Sequence, residues 1–318
     1  MADSLVNWLA LREPADVAAR SMTLTRAIVD ALGRRDQMSV LDLGSGTGSS
    51  VRYLAGQLPT PQRWLLVDRD PALLAEVWAR TSSWGAVRGY EVTTDRDGLM
   101  IRGRQMDCCV ETRRLDLGRL TDPQIFSGHH LVTASALLDL VSEAWLGTLA
   151  WHCRESGAAV LFALTYNGRS RCSPAEPEDD RIRELLNRHQ RASDHGFGVA
   201  AGPEAVECAA RCFGAVGYHV RREASDWVLP PDTRALQRQL IEGWAKAALE
   251  IAPDEAAMVE SWLTRRLAHV EAHRSHIIVC HEDLAAWLPS QHLARYEPGI
   301  DIARSSLSAR CAQSGEQF

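Results

Sequence analysis

Apolar positions three and four apart run from residue 14 to 33 and predict a helix stopped by Gly33. Ser39 to Leu43 then reads as a short buried strand, Ser49 to Leu58 as a helix ended by Pro59, and RWLLVD, 63–68, as a second strand. Pro71 stands where a helix would start, and good helix formers continue it from Ala72 to Thr81. The stretch 90–103 predicts a hairpin turning at Asp97-Gly98, followed by a third strand over 110–117. Residues 129–140 supply a fourth strand and a turn, 142–156 a helix, and AAVLFALTY, 158–166, a fifth strand. Strands alternating with helices imply a mostly parallel sheet covered on both faces.

The pattern loosens beyond residue 166. Residues 167–180 are polar and proline-bearing, a loop by composition, and the chain then passes from helix into glycine-rich sequence. A helix over 204–213, a strand within 217–229, two helices over 232–250 and 254–271 and a last strand around 275–284 complete the order. No internal repeat is evident.

Composition narrows the class. A chain of 318 residues with 46% hydrophobic content can bury a substantial core. Its apolar runs are broken by charge well short of a membrane span, and its first residues lack the basic start and apolar run of a signal peptide. Eight cysteines include the adjacent Cys108 and Cys109 and the helix-spaced Cys208 and Cys212, with no CxxC pair. Reduced thiols in a cytoplasmic protein fit that distribution better than a disulfide framework or a zinc site. A net charge of -6 with no Lys/Arg tract argues against a nucleic-acid partner. Lysine occurs once, at Lys246, and the arginine-heavy balance carries little functional information.

One stretch carries chemistry. In VLDLGSGTGSS, 40–50, Gly44, Gly46 and Gly48 follow a strand and open a helix, so a ligand can lie against bare backbone there. A dinucleotide fingerprint would want its third glycine at 49, where Ser49 stands. The form LDLGSGTG, with Asp42, Ser45 and Thr47 among the glycines, resembles the class I S-adenosylmethionine (SAM) dependent methyltransferases. That resemblance spans roughly residues 38–166 plus the final strands. It implies a Rossmann-like α/β fold: a mostly parallel seven-stranded sheet with helices on both faces, an N-terminal helical cap over 1–36, and a main domain over 37–300. A lid over 167–203, a helical insertion over 232–271 before the last strand and a loosely held polar tail over 301–318 complete the expected organisation.

The resemblance also implies SAM as cofactor, with S-adenosylhomocysteine (SAH) as product, and assigns contacts. Asp68, with Arg69 beside it, matches the acidic residue that takes both ribose hydroxyls. Asp116 would receive the adenine amino group, with Leu117 offering a backbone amide, and Ser135 and Ala136 would border the methionine portion. Trp8, Arg12 and Arg20 lie on the N-terminal segment, and Arg20 is the candidate partner of the SAM carboxylate. Asp116 could instead cap a turn, and Asp139 could equally start a helix or make a contact.

The acceptor is narrowed by what the fourth strand lacks. ASALLD has no Asn/Asp-Pro-Pro-Tyr-like motif for amino methylation of bases or glutamine, and no acidic cluster for a divalent cation. A small molecule is left as the leading acceptor. Tyr166 and Asn167 end the fifth strand, where ligand crevices open on such sheets. His189, Gln190, Asp194 and Phe197 occupy the lid segment, with His189 and Tyr166 as candidate catalytic groups and all six as candidate acceptor contacts. His269, His273 and His276 have partly helical spacing but no completing carboxylate, so no metal is expected. The helices over 232–271 fit a substrate cover or a homodimer surface. Two other functions compete: SAM chemistry on the aminocarboxypropyl arm releasing methylthioadenosine, and noncatalytic SAM binding.

Overall fold

β1 (Met38–Leu43) is buried along almost its whole length, which places it at the centre of a sheet covered on both faces. The computed structural model describes residues 2–94, 98–118, 120 and 122–289. In it β1 pairs in parallel with β2 (Gln62–Asp68) on one side and β6 (Leu131–Ser135) on the other. β2 continues to β5 (Met106–Arg114), and β6 to β7 (Ala159–Ser173), all parallel. β10 (His276–Trp287) then runs antiparallel between β7 and β8 (His219–Ala224). The order β5-β2-β1-β6-β7-β10-β8 reverses between β1 and β6, the switch point where ligand crevices form in doubly wound sheets.

The expected Rossmann-like α/β fold is present, but among the described residues the sheet has ten strands rather than seven. β3 (Glu91–Thr94) and β4 (Leu99–Gly103) form the expected hairpin and extend the β5 edge; Asp97 of its turn lies outside the described residues. β9 (Trp227–Leu229) adds a short pairing to the start of β10.

Helices cover the two faces. α2 (Met22–Leu32), α3 (Ser49–Leu54) and α4 (Pro71–Val87) bury Leu24, Ile28, Leu54 and Val77 with Val40 and Trp64 on one face. α5 (Glu143–Ser156) and α7 (Ala205–Ala215) bury Leu146, Leu149 and Phe213 with Leu41, Val132 and Phe162 on the other. Local chemistry sets the ends. Asp70 caps α4 by accepting from Ala72 N–H, with Pro71 in the first turn, and Ser142 caps α5 while Gly157 closes it in the left-handed region.

Three expectations change. The helix over 14–33 is two helices: α1 (Ala2–Ala19) runs through Pro14, and α2 starts after Ser21. Ser21 N–H donates to Oδ2 of Asp283 at 2.8 Å while its hydroxyl accepts from Leu24 N–H, so the residue serves as a cap and breaks the helix. The glycine-following helix is six residues long rather than ten. Residues 167–173, read as loop, continue β7, because Ser170–Ser173 pair with His276–Val279 of β10 and that ladder satisfies their backbone.

Beyond the sheet's carboxyl edge a third cluster joins upper β7 and β9 to α6 (Asp179–Ala192), α8 (Arg234–Ile251) and α9 (Ala256–Glu271), centred on Trp244, Trp262 and Leu185. Buried Arg266 is paired with Asp179 inside it. The expected tail over 301–318 lies outside the described residues. No helix among the described residues is long and apolar enough to cross a membrane.

Candidate active site

The glycine loop leaves β1 with Gly44, Gly46 and Gly48 at φ of 60°, 54° and 83°, backbone that side-chain-bearing residues adopt at a cost. A Cβ at Gly46 would lie 3.2 Å from Leu9 of α1, and one at Gly44 3.4 Å from Leu137. The loop is pinned from β2. Ser45 N–H donates to Val67 O at 3.0 Å, and Gly46 N–H to Oδ2 of Asp68 at 2.9 Å. Oδ1 of Asp68 accepts from Asp70 N–H at 3.0 Å, so one carboxylate ties the loop to the start of α4. Two of its roughly four acceptor positions are then used, and Asp68 lines the adjoining cavity.

That cavity, about 290 Å³, lies at the carboxyl ends of β1, β2 and β6. Gly44 to Thr47 form its floor and Ser135, Ala136 and Leu137 one side. Leu5, Leu9, Arg12 and Asp16 of α1 roof it. A latch holds the roof down: the buried guanidinium of Arg52 on α3 forks onto Glu13 of α1 at 2.7 and 2.8 Å and donates to Thr47 O at 2.6 Å. Phe197 closes the far wall, edge-on to Trp145 at 5.7 Å, and Trp145 Nε1 donates to Leu117 O at 2.7 Å. Arg69 donates to His195 O at 3.1 Å, fixing the glycine-rich segment across the mouth.

Of the expected residues, Gly44, Ser45, Gly46, Thr47, Asp68, Arg69, Leu117, Ser135, Ala136 and Phe197 line this cavity. Gly48 sits behind it, capping α3 in the left-handed region. Asp42 is fully buried, and burial pushes its carboxyl up to about 7 against the opposing pull of Arg20 and the Ser50 hydroxyl. Arg20 does not reach the cavity. It is buried, stacks on Tyr53 at 4.8 Å, and leaves Nε and Nη2 without a partner. Asp116 closes a turn, Oδ1 accepting from Gly118 N–H at 2.9 Å, and borders a shallow depression that shares Arg69, Asp70 and Leu115 with the cavity.

The lid residues disperse. His189 points at α8, its Nε2 2.9 Å from Glu250, and does not line the cavity. Asp194 shapes its own loop by accepting from Gly196 and Gly198 N–H. Asn167 lies against Cys280 and Glu282 of β10. Gln190 Nε2 reaches Oδ2 of Asp139 at 3.3 Å, and Tyr166 is buried on β7 with its hydroxyl unbonded. His195 of the expected lid segment lines the cavity, and so do Leu5, Leu9 and Asp16 of α1, which the sequence did not single out. Nothing local marks them, since α1 meets the loop only in the folded chain. His269 pairs with Glu176 at 2.8 Å, while His273 lies past the end of α9.

No family model matches the sequence, and no curated protein matches it. Solved structures of similar outline include the cyclopropane synthase MmaA2 of Mycobacterium tuberculosis, at 11% identity and a TM-score of 0.42, covering 83% of this chain and 82% of that one. A SAM-dependent methyltransferase of Geobacter sulfurreducens in complex with SAH aligns at 15% identity and a TM-score of 0.41, covering 89% and 98%. A phosphoethanolamine N-methyltransferase 2 of Haemonchus contortus with SAM aligns at 14% identity and a TM-score of 0.42, covering 91% of this chain and 57% of that one.

Proposed function

We propose that the chain is a SAM-dependent methyltransferase acting on a small-molecule metabolite or natural-product intermediate. One observation carries the reading: an acidic residue at the end of β2, Asp68, both pins a left-handed glycine loop and lines a roofed cavity at the switch point. The residues fit the donor. Bare backbone at Gly44 and Gly46 leaves room that a Cβ would fill, the Ser45 hydroxyl is buried beside the cavity without a partner, and Leu117 supplies an apolar wall. Asp68 would accept from the two ribose hydroxyls, and Arg12 from α1 would meet the amino-acid end.

SAM supplies a methyl group on a sulfonium, a good leaving group, and becomes SAH. What remains for the chain is to hold the acceptor in line and keep water out. α1 performs the exclusion, with Leu5 and Leu9 lying over the loop. Calorimetry with SAH tests the assignment: micromolar binding to folded protein is expected, and no heat with SAH or SAM would overturn it. Product analysis separates the chemistry, since SAH marks methyl transfer, methylthioadenosine marks reaction of the aminocarboxypropyl arm, and binding without turnover marks a noncatalytic protein.

A further inference from the structure

The charged side chains that line the cavity fall into two groups. Asp68, Arg69 and Asp70 come from the end of β2 and the start of α4, while Arg12 and Asp16 come from α1. The first group stands where the nucleoside would lie. The second is an ion pair in the roof, its two side chains 12% and 7% exposed. Taking both charges out of water is costly, and an apolar roof of the kind Leu5 and Leu9 provide excludes water without that cost.

The pair is held in a fixed orientation. A guanidinium has five N–H donors in one plane, arranged along two edges, and two faces. Nε and Nη2 of Arg12 give one edge to Asp16 at 3.0 to 3.2 Å. One face lies on Trp227, with Cζ 5.0 Å from the ring centre. Trp227 in turn donates from Nε1 to Oδ1 of Asp16 at 3.0 Å and meets Trp8 edge-on at 6.3 Å. The guanidinium plane is thereby set from β9, and Nη1, on the other edge, has no hydrogen-bond partner among the described residues. Asp16 is also incompletely used. Its Oδ1 receives Arg12 and Trp227, whereas Oδ2 receives only the Arg12 Nε–H, which it shares with Oδ1. Burial pushes the Asp16 carboxyl up even against Arg12, so the protein does not fully balance its charge and a second cation beside it is stabilising.

We propose that Arg12 and Asp16 form a receptor for the zwitterion at the end of the donor's amino-acid arm, the carboxylate taking the free edge of Arg12 and the ammonium Oδ2 of Asp16, with Trp227 as a positioning residue. The inference rests on the methyltransferase reading and adds to it Asp16, Trp227 and the basis on which intact donor is selected. Position supports it. Leu9 lies over Gly46, whose N–H is bonded to Asp68, so Leu9 and Asp68 mark the same point along the cavity. Leu5, Leu9, Arg12 and Asp16 are spaced 4, 3 and 4 apart and share one helix face. Arg12 and Asp16 therefore stand about 4.5 and 10 Å further along the axis than Leu9, within reach of an aminocarboxypropyl arm whose ribose is held at Asp68. Charge supports it too. A lone anion or cation meets one attraction and one repulsion at an ion pair, whereas a zwitterion meets two attractions. The roof thus reads the arm itself, and a ligand without the arm gains nothing from it.

Three ligands test this on the full chain: SAH, 5′-(3-aminopropylthio)adenosine, which keeps the ammonium and lacks the carboxylate, and methylthioadenosine, which lacks both. Calorimetry on the wild type should give affinities in that order, with SAH about 100-fold or more above methylthioadenosine. Arg12→Gln should weaken SAH about 10- to 100-fold and leave the other two no more than about threefold weaker. Asp16→Asn should weaken SAH and the aminopropyl analogue about tenfold or more, with methylthioadenosine within about twofold, which also shows the variant to be folded. Trp227→Phe keeps a ring and loses the Nε1 donor; it should weaken SAH about three- to tenfold and leave methylthioadenosine unchanged, whereas a role in packing alone would weaken all three alike. No binding of any of the three to the wild type overturns the methyltransferase reading itself. SAH no tighter than methylthioadenosine, or equal losses for the two in Arg12→Gln, overturns the receptor. An aminopropyl analogue indifferent to Asp16→Asn overturns the place of the ammonium, and equal losses across the three ligands in Trp227→Phe overturn the positioning role.

Discussion

Replacing Glu13 with alanine removes the latch between α1 and the glycine loop. In the wild type both carboxylate oxygens receive Arg52, whose side chain is 5% exposed against 21% for Glu13. Breaking a fully buried pair from one side costs about 3 to 5 kcal/mol, because the partner's charge is left uncompensated. Glu13 keeps some solvent and Arg52 keeps Thr47 O, so the cost here is nearer 2 to 3 kcal/mol. If that cost falls on α1 docking, the undocked population rises about 30- to 150-fold. Amide hydrogen exchange reads this directly: protected amides of α1 should exchange faster by that factor, while those of β1 and β6 keep their wild-type rates. Arg52→Met should open α1 less, since it leaves Glu13, which can rehydrate, rather than a buried cation. Unchanged α1 exchange in Glu13→Ala, or equal acceleration throughout the sheet, would refute the latch.

Other outcomes follow from the same geometry. Asp68→Ala should weaken SAH binding by about 1.5 to 3 kcal/mol by calorimetry, and an unchanged Kd would remove Asp68 from the site. Gly46→Ala must place a methyl at φ 54° against Leu9, costing about 1 to 2 kcal/mol and lowering the Tm by a few degrees in calorimetric scans; no shift would contradict the loop conformation. Burial raises Asp42 from 3.8 to about 7, so in that interval the folded chain holds a proton that the unfolded chain has released. Its stabilising effect is full below the unfolded value and lost as pH rises through 7. Asp42→Asn removes that dependence, and its stability advantage from urea midpoints without ligand should widen by about 2 to 3 kcal/mol between pH 5 and pH 8. A constant difference would show that Asp42 does not titrate there.

Features written within a few neighbouring residues were legible. The glycine loop and Asp68 sit at strand ends that hydrophobic runs define, and Pro71 and Gly33 mark helix ends by backbone preferences of their own. Features decided by distant partners were not. The break after α1 depends on Asp283, 262 residues away from Ser21. The polar end of β7 is strand because β10 pairs with it. Histidine chemistry singled out His189, but the direction of a side chain on α6 is set by Glu250 of α8. Asp139 was ambiguous for a related reason: sequence showed a carboxyl near a turn, and only folding shows that it is enclosed with one oxygen unpaired.

The length of β7 governs how molecules can come and go. Past Ala163 the strand has left β6 behind and runs on with β10 as a ribbon, which joins α6, α8 and α9 to the sheet through interstrand bonds. Swinging that helical block aside would tear several such bonds at once, so it behaves as a fixed wall. α1 has no ladder to break, being held by side chains alone, and the cheapest doorway to the cavity therefore lies at this first helix.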